Sequence, residues 1–183
     1  MIIGLSGYAQ SGKDSVASIL TSKYGFERVA FADAIRSILW EINPIVKDSG
    51  FTVQTVVHAY GWDKAKVVFP EMRRLLQELG VSSRHTLGDQ VWVSAALRKM
   101  DDKDKNYVIS DVRFGNEAEI VKQLNGHLWR IKRPGVEAVN SHISESGMDG
   151  YKVDQILHNG GTIEELELLV QQRMDALLAN KTD

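Results

Sequence analysis

Short apolar runs of strand length alternate along this chain with longer segments whose apolar residues recur every three or four positions, the pattern of strands beside amphipathic helices. The first run, Ile2-Ile3-Gly4-Leu5-Ser6, stands directly before a glycine-bracketed turn. Val16, Ala17, Ile19 and Leu20 then follow at helical spacing as far as an exit at Tyr24-Gly25-Phe26. A second strand is predicted over Arg28-Val29-Ala30-Phe31. The helix after it carries Ile35, Ile38, Leu39 and Ile42, with Asp33 in the N-cap position.

From Asn43 to about Met100 no run reads as a strong strand. Val53, Val56, Val57 and Tyr60 fit one helical face, Gly61-Trp62-Asp63 marks a break, and Pro70 opens a helix whose stripe of Met72, Leu75, Leu76 and Leu79 ends at Gly80. Strands return with Tyr107-Val108-Ile109-Ser110-Asp111, then His127 to Arg133, then Asp154 to His158. The helix between the first two carries Ile120, Val121 and Leu124 and stops at Gly126. Thr162 with Glu165 forms a capping box for a final helix built on Ile163, Leu166, Val170, Met174 and Leu177. The whole reads as an α/β protein, a parallel sheet flanked by helices. Residues 1–32 and 101–183 form its core, and 33–100 form a helical arm inserted into it.

Composition narrows the partners more than the fold. The chain has 183 residues, enough for one well-buried core, and 43% hydrophobic and 25% charged residues are ordinary for a globular protein. A formal net charge of -2 provides no broad field for nucleic acid or a membrane surface, so neither is an expected partner and any anion site must be local. With no cysteine there is no disulfide framework and no thiolate chemistry. Met1 leads straight into the first strand and no apolar run approaches the ~20 residues of a membrane span, so a cytoplasmic location is expected.

The chemistry is concentrated in the turn Gly7-Tyr8-Ala9-Gln10-Ser11-Gly12-Lys13. Two glycines bracketing such a turn, with a strand before it and a helix after it, read as a phosphate-binding loop. The backbone N–H groups from Ala9 and Gln10 through Ser11 and Gly12 to the helix start at Lys13, Asp14 and Ser15 turn toward phosphate oxygens, and Lys13 adds a mobile full charge. The usual hydroxyl after the lysine is displaced by one place, with Asp14 preceding Ser15. Asp14 is read as facing a second substrate or a hydrated Mg²⁺, and Ser15 as meeting the phosphates. Simple complementarity to the helix dipole is the plainer account of Asp14.

Further candidates follow along the chain. Asp33 is most simply a cap, yet with Arg36 it can touch a second substrate. Arg73 and Gln77 lie one helical turn apart, so both can reach one ligand, or both can form an ordinary solvated face. Arg84, Asp89 and Trp92 come next; guanidinium groups suit phosphate, amides such as that of Gln77 read base edges, and an indole can stack on a base. Asp111 ends a strand where parallel sheets face their ligands, and is a candidate to hold Mg²⁺ through water or to orient an arginine. Glu117 falls on the inner side of its helix, where Arg113, a bound ligand or the helix start itself accounts for it. Arg130, Lys132 and Arg133 form a basic hinge before a polar stretch, Asn140 to Gly150, that contains His142, Ser144 and Glu145 and reads as a lid. An arginine closing from there stabilises charge on transferring phosphates.

These residues resemble those of the phage deoxynucleoside monophosphate kinases, a branch of the P-loop kinases. The points of likeness are Ser11-Gly12-Lys13-Asp14, the string Arg73, Gln77, Gly80, Arg84, Gly88 and Trp92, the segment Asp111-Val112-Arg113-Phe114 with Asn116-Glu117, His142 with Ser144-Glu145, and Asn159 with Gly161-Thr162. The resemblance implies the P-loop kinase fold with a lid at about 133–150. It also implies transfer of the γ-phosphate of ATP, with Mg²⁺, to a deoxynucleoside monophosphate. It places the monophosphate among Asp33, Arg36, Arg73, Gln77, Arg84, Asp89 and Trp92, makes Arg133 the lid arginine and suggests adenine contacts near Asn159 and Gly160. Related kinases are often homodimers.

Two other readings share the loop. Transfer to a metabolite such as dephospho-coenzyme A or phosphomevalonate has no use for Gln77 and Trp92. A GTP-dependent switch draws on Asn180-Lys181-Thr182-Asp183, but that guanine-reading pattern belongs after an internal strand rather than after the last helix.

Overall fold

The apolar run before the glycine turn is the central strand of a five-stranded parallel sheet. The computed structural model describes residues 1–137 and 147–179, so the lid candidates Asn140, His142, Ser144 and Glu145 and the terminal Asn180-Lys181-Thr182-Asp183 lie outside the described residues. In chain order the elements are β1 (Ile2–Ser6), α1 (Lys13–Tyr24), β2 (Phe26–Val29), α2 (Ala32–Ile42), β3 (Ile45–Val46), β4 (Phe51–Thr52), α3 (Val53–Val68), α4 (Pro70–Leu87), α5 (Val91–Leu97), β5 (Asn106–Ile109), α6 (Gly115–Gln123), β6 (His127–Lys132), β7 (Gln155–His158) and α7 (Ile163–Ala179). They fall into two compact units, Met1–Ala30 with Lys99–Asp183, and Phe31–Arg98.

In the first unit the sheet order is β2-β5-β1-β6-β7, with every pairing parallel. Strand alternation sorts β1 cleanly between the two faces of the sheet. Ile3 and Leu5 join one buried cluster with Val16 and Leu20 of α1 and with Val170 and Met174 of α7. Gly4 faces the other way. A Cβ there would stand 3.0 Å from the Val121 side chain of α6, so the glycine admits that helix close to the sheet. Since all strands run the same way, their carboxyl ends, and the loops leaving them, share one end of the sheet.

The strand β2 begins two residues before the predicted run, because Phe26 and Val29 are its buried positions and pair with β5. In α7 the buried stripe starts at Leu166, and Ile163, its first residue, is exposed rather than packed. The capping box is present: Thr162 N–H donates to Glu165 Oε2 at 2.8 Å, and Glu165 N–H donates to Thr162 Oγ1 at 3.3 Å.

The second unit packs α2, α3 and α4 around Leu39, Val46, Val53, Val56, Ala65 and Met72, with α5 against α2 and α4. Its hairpin of β3 and β4 went unpredicted because two-residue strands are too short to show alternation. The break at Gly61 is a kink inside α3, with φ 69° and ψ 162° at the glycine. Pro70 opens α4 as predicted, and the Asp48 carboxylate accepts the Glu71 N–H at 2.9 Å, supplying the cap that Phe69 has no side chain to give. Two expectations need correction. Asp33 is not the N-cap of α2, which is Phe31, but lies in the first turn, where its charge complements the dipole. Gly80 does not end α4, which runs on to Leu87. The glycine is a packing notch: a Cβ would come within 3.2 Å of Ile35 Cδ1, and its carbonyl receives the Trp92 indole N–H at 2.9 Å.

Candidate active site

The turn leaving β1 adopts a conformation that its sequence dictates. Gly7 and Gly12 take φ of 136° and 106°, and Gln10 between them also has positive φ, at 64°. A Cβ on Gly7 would stand 2.4 Å from the Ile131 carbonyl oxygen, and one on Gly12 would stand 2.3 Å from Asn159 Nδ2. Both glycines are therefore required by space as well as by dihedral angle. Gly12 is the N-cap residue of α1, so the helix begins at Lys13 and presents the orphan N–H groups of its first turn to the loop. The Lys13 ammonium donates to the carbonyls of Gly7 at 2.8 Å and Tyr8 at 2.7 Å, and is thus held across the loop. Asp14 is exposed in the first helical turn and Ser15 is half-buried.

Neighbouring strands supply cations around this loop. A cavity of about 450 Å³ is lined by Gly7, Tyr8 and Ser11 of the loop, by Arg113 after β5, by Arg130, Lys132 and Arg133 at the end of β6, and by Asp149. Among the described residues its charged lining sets Arg113, Arg130, Lys132 and Arg133 against Asp149, and the volume falls within the ordinary range for a nucleotide-sized ligand. The Ser11 hydroxyl is buried without a hydrogen-bond partner among the described residues, the kind of donor a phosphate oxygen satisfies. Arg130 Nη2 donates to the Met148 carbonyl and to that of Tyr151 at 3.2 Å, tying this segment before β7 to the sheet.

The structure places Arg113, Arg130 and Arg133 on the lining of the cavity beside the loop across which Lys13 is held. Ala9 and Gln10 form the outer turn, with Gln10 exposed. Asp111, buried two residues after the end of β5 and next to the buried Ser110, and Glu117 of α6 are not among the residues that line the cavity. Glu117 Oε2 accepts the backbone N–H of Arg113 at 2.7 Å and of Phe114 at 3.2 Å, so its inner position is accounted for at the start of α6. Asn159 is buried, and its amide donates to the Ser11 carbonyl at 2.8 Å, whereas the resemblance suggested an adenine contact. Gly160 beside it is exposed.

One pair was missed by sequence reasoning. Tyr8 Oη donates to the Asp149 carboxylate, 3.0 Å from each oxygen, and this bond holds the tyrosine pKa above its ordinary value. No local signal joins a loop residue to a carboxylate so far along the chain.

In the helical unit, Arg73 and Gln77 stand one turn apart on α4, both half-buried. Arg36 Nη2 lies 3.7 Å from Asp63, which also takes Lys66 at 2.8 Å. Arg84 Nη1 donates to the Asp89 carbonyl at 2.9 Å, closing the turn between α4 and α5. Trp92 corrects the expectation of a stacking platform. It is 2% exposed and its N–H is committed to Gly80, so it is a core residue of the arm. At the start of α4, hydrogen bonds from Arg74 hold Glu71 below the usual glutamate pKa.

Among the described residues no three carboxylate or imidazole groups converge as a metal cage, and no helix is long and apolar enough to cross a membrane. Asp14 and Ser15, in the first turn of α1, offer hard oxygens of the kind that magnesium takes together with substrate phosphates and water, whereas Asp111 is buried away from the cavity lining.

A parallel sheet in this order, with a glycine loop and lysine between its central strand and the next helix, defines a P-loop kinase fold. Dephospho-CoA kinase from Campylobacter jejuni superposes over 98% of each chain with a TM-score of 0.50 at 13% identity, a likeness of fold alone. The model of the deoxynucleotide monophosphate kinase family matches residues 68–170, more than half of the chain, and the chain belongs to that family. A protein of Acanthamoeba polyphaga mimivirus named for this activity is 29% identical over 187 residues, 90% of this chain and 91% of that one. The deoxynucleotide monophosphate kinase of Escherichia phage RB69 is 35% identical over 101 residues, 52% of this chain and 41% of the phage protein. The family match spans Arg73 through Asn159 and Gly160, whereas Gly7 to Ser15, Asp33 and Arg36 precede it.

Proposed function

We propose that the chain transfers the γ-phosphate of ATP to a deoxynucleoside 5'-monophosphate, giving the diphosphate and ADP and so supplying DNA precursors in the cytoplasm. Family membership supports the acceptor. The observation that carries the chemistry is the glycine loop with Lys13 across it and Arg113, Arg130, Lys132 and Arg133 around the adjoining cavity.

Phosphoryl transfer asks for positioning and for charge on the equatorial oxygens more than for proton chemistry. The loop N–H groups and the start of α1 bind the donor phosphates. Lys13 exchanges its carbonyl partners for phosphate oxygens, a stronger charge-assisted pairing. Arg113 and Arg133 neutralise charge that spreads during transfer, and Arg130 fixes the wall that carries them. Asp14, Ser15 or Asp111 would hold magnesium, directly or through water, and the ion would supply further charge neutralisation on the phosphates. The monophosphate is held by the arm: Arg73 and Arg36 suit its phosphate, Gln77 suits a base edge, and Asp33, Arg84 and Asp89 complete the polar set. The inward Glu117 fixes the backbone of Arg113.

The test is ADP production from ATP and Mg²⁺ against a panel of deoxy- and ribonucleoside monophosphates, with Lys13→Ala as control. Turnover on at least one deoxynucleoside monophosphate, reduced at least ~100-fold in the control, is the expected result. A chain that binds ATP yet releases no ADP above background with any monophosphate would refute the acceptor assignment.

A further inference from the structure

Asn159 is one of the buried polar side chains among the described residues, and its side-chain amide is spent on the phosphate loop. It follows β7 directly, and its own N–H donates to the Lys132 carbonyl at 2.7 Å, so the residue is anchored to the end of β6 and does not drift with the exposed turn behind it. From there Nδ2 reaches the Ser11 carbonyl at 2.8 Å, across 148 positions of sequence. The backbone passes so near that any Cβ on Gly12 would lie 2.3 Å from that nitrogen.

We propose that Asn159 is a positioning residue for the donor nucleotide, a clamp that fixes the Ser11–Gly12 peptide of the phosphate loop. In a trans peptide the C=O and N–H point in opposite directions. Holding the Ser11 carbonyl toward Asn159 therefore turns the Gly12 N–H to the opposite side of the loop. Gly7, Tyr8 and Ser11 line the cavity and Asn159 does not. Without the clamp this peptide rotates at little cost, since the glycine on its far side offers no steric resistance. A rotated peptide exchanges an N–H donor for a carbonyl dipole of the wrong sign beside the phosphates. Asn159 thereby acts on ATP without touching it, and Gly12 is glycine partly because the clamp occupies the space of its side chain.

The proposal deepens the kinase reading and rests on the loop being the ATP site, so ATP binding is measured first with no acceptor present. Asn159→Ala weakens ATP binding by about tenfold, the worth of one hydrogen bond to a loop peptide. Asn159→Asp is isosteric and keeps the backbone anchor, but sets a carboxylate against the Ser11 carbonyl, and weakens ATP more. In turnover the KM for ATP rises in step with these losses, while the KM for the monophosphate stays within about twofold. A second arm uses Gly12→Ala. Alone it removes ATP binding, and combined with Asn159→Ala it recovers part of it, because the methyl group no longer meets the amide.

Unchanged ATP affinity in Asn159→Asp, equal loss for both substrates, or strictly additive effects with Gly12→Ala would each overturn the clamp. A wild-type chain that binds ATP tightly, weakly as either Asn159 variant, and turns over no monophosphate would leave the clamp standing while refuting the acceptor. A wild-type chain that binds no ATP would refute both.

Discussion

Replacing Trp92 by phenylalanine separates a core role from a substrate role. The indole is 2% exposed, and its N–H reaches the Gly80 carbonyl at 2.9 Å, joining α5 to α4. Phenylalanine keeps an aromatic face but loses that bond, about 1 kcal/mol, and leaves a void the size of the missing ring atoms, about 1–2 kcal/mol. The total of about 2–3 kcal/mol corresponds to a fall of about 5–10 °C in Tm for a chain of this length. Because Trp92 closes the helical unit, the loss appears in a thermal melt followed by circular dichroism. The KM for the monophosphate in the folded variant moves less than about threefold.

Fluorescence provides an independent reading. The chain has four tryptophans, and the wild-type minus variant spectrum isolates Trp92. A buried indole emits to the blue, and added monophosphate leaves that difference spectrum unchanged. If Trp92→Phe melts with the wild type while the KM for the monophosphate rises tenfold or more, the indole stacks on substrate and the argument from burial is wrong.

Two further outcomes follow from single groups. Gly7→Ala places a methyl group 2.4 Å from the Ile131 carbonyl oxygen, a backbone atom that no side-chain rotation moves away, so the loop must shift. ATP-dependent thermal stabilisation is expected to vanish, and retention of the full ATP-induced rise in Tm would contradict the geometry. For Asp154, burial would raise the pKa, but hydrogen bonds from the Leu128 N–H and from Lys122 outweigh it and hold the carboxyl below its usual value. A folded-state pKa that is lowered means stabilisation present in full above the unfolded pKa of ~4 and lost as pH falls below it. Asp154→Asn keeps an oxygen for Leu128 but does not titrate, so its Tm deficit at pH 7 should narrow as pH falls toward 3. A deficit constant across that range would show that the ion pair contributes nothing.

Sequence reasoning succeeded where a residue's role is set by its neighbours in the chain. The glycine loop, the proline start of α4, the kink at Gly61 and the capping box of Thr162 and Glu165 are all local devices, and each stands where its pattern placed it. It failed where a distant partner decides. Gly80 looks like a helix stop until Ile35 and Trp92 are seen against it, and Trp92 looks like a binding aromatic until its burial is known. The resemblance singled out Asn159 for an adenine contact, but nothing local pointed to its bond with the Ser11 carbonyl, and Tyr8 with Asp149 left no trace at all.

The anion site itself illustrates the same division. With a net charge of -2 the chain has no general attraction for ATP, and screening confines any local field to about 8 Å at physiological salt. Cations must therefore be delivered to the loop individually. Three of them, Arg130, Lys132 and Arg133, come from the carboxyl end of β6, and Arg113 follows β5. The strands β5 and β6 are the two neighbours of β1, whose carboxyl end carries the loop. Had either been exchanged with an edge strand, a spacing of about 4.8 Å per strand would have moved its cations toward or beyond the screening distance. Basic residues at strand ends are common and say little by themselves. What gathers these four on one cavity is the order β5-β1-β6, which long-range pairing decides and which no window of sequence displays.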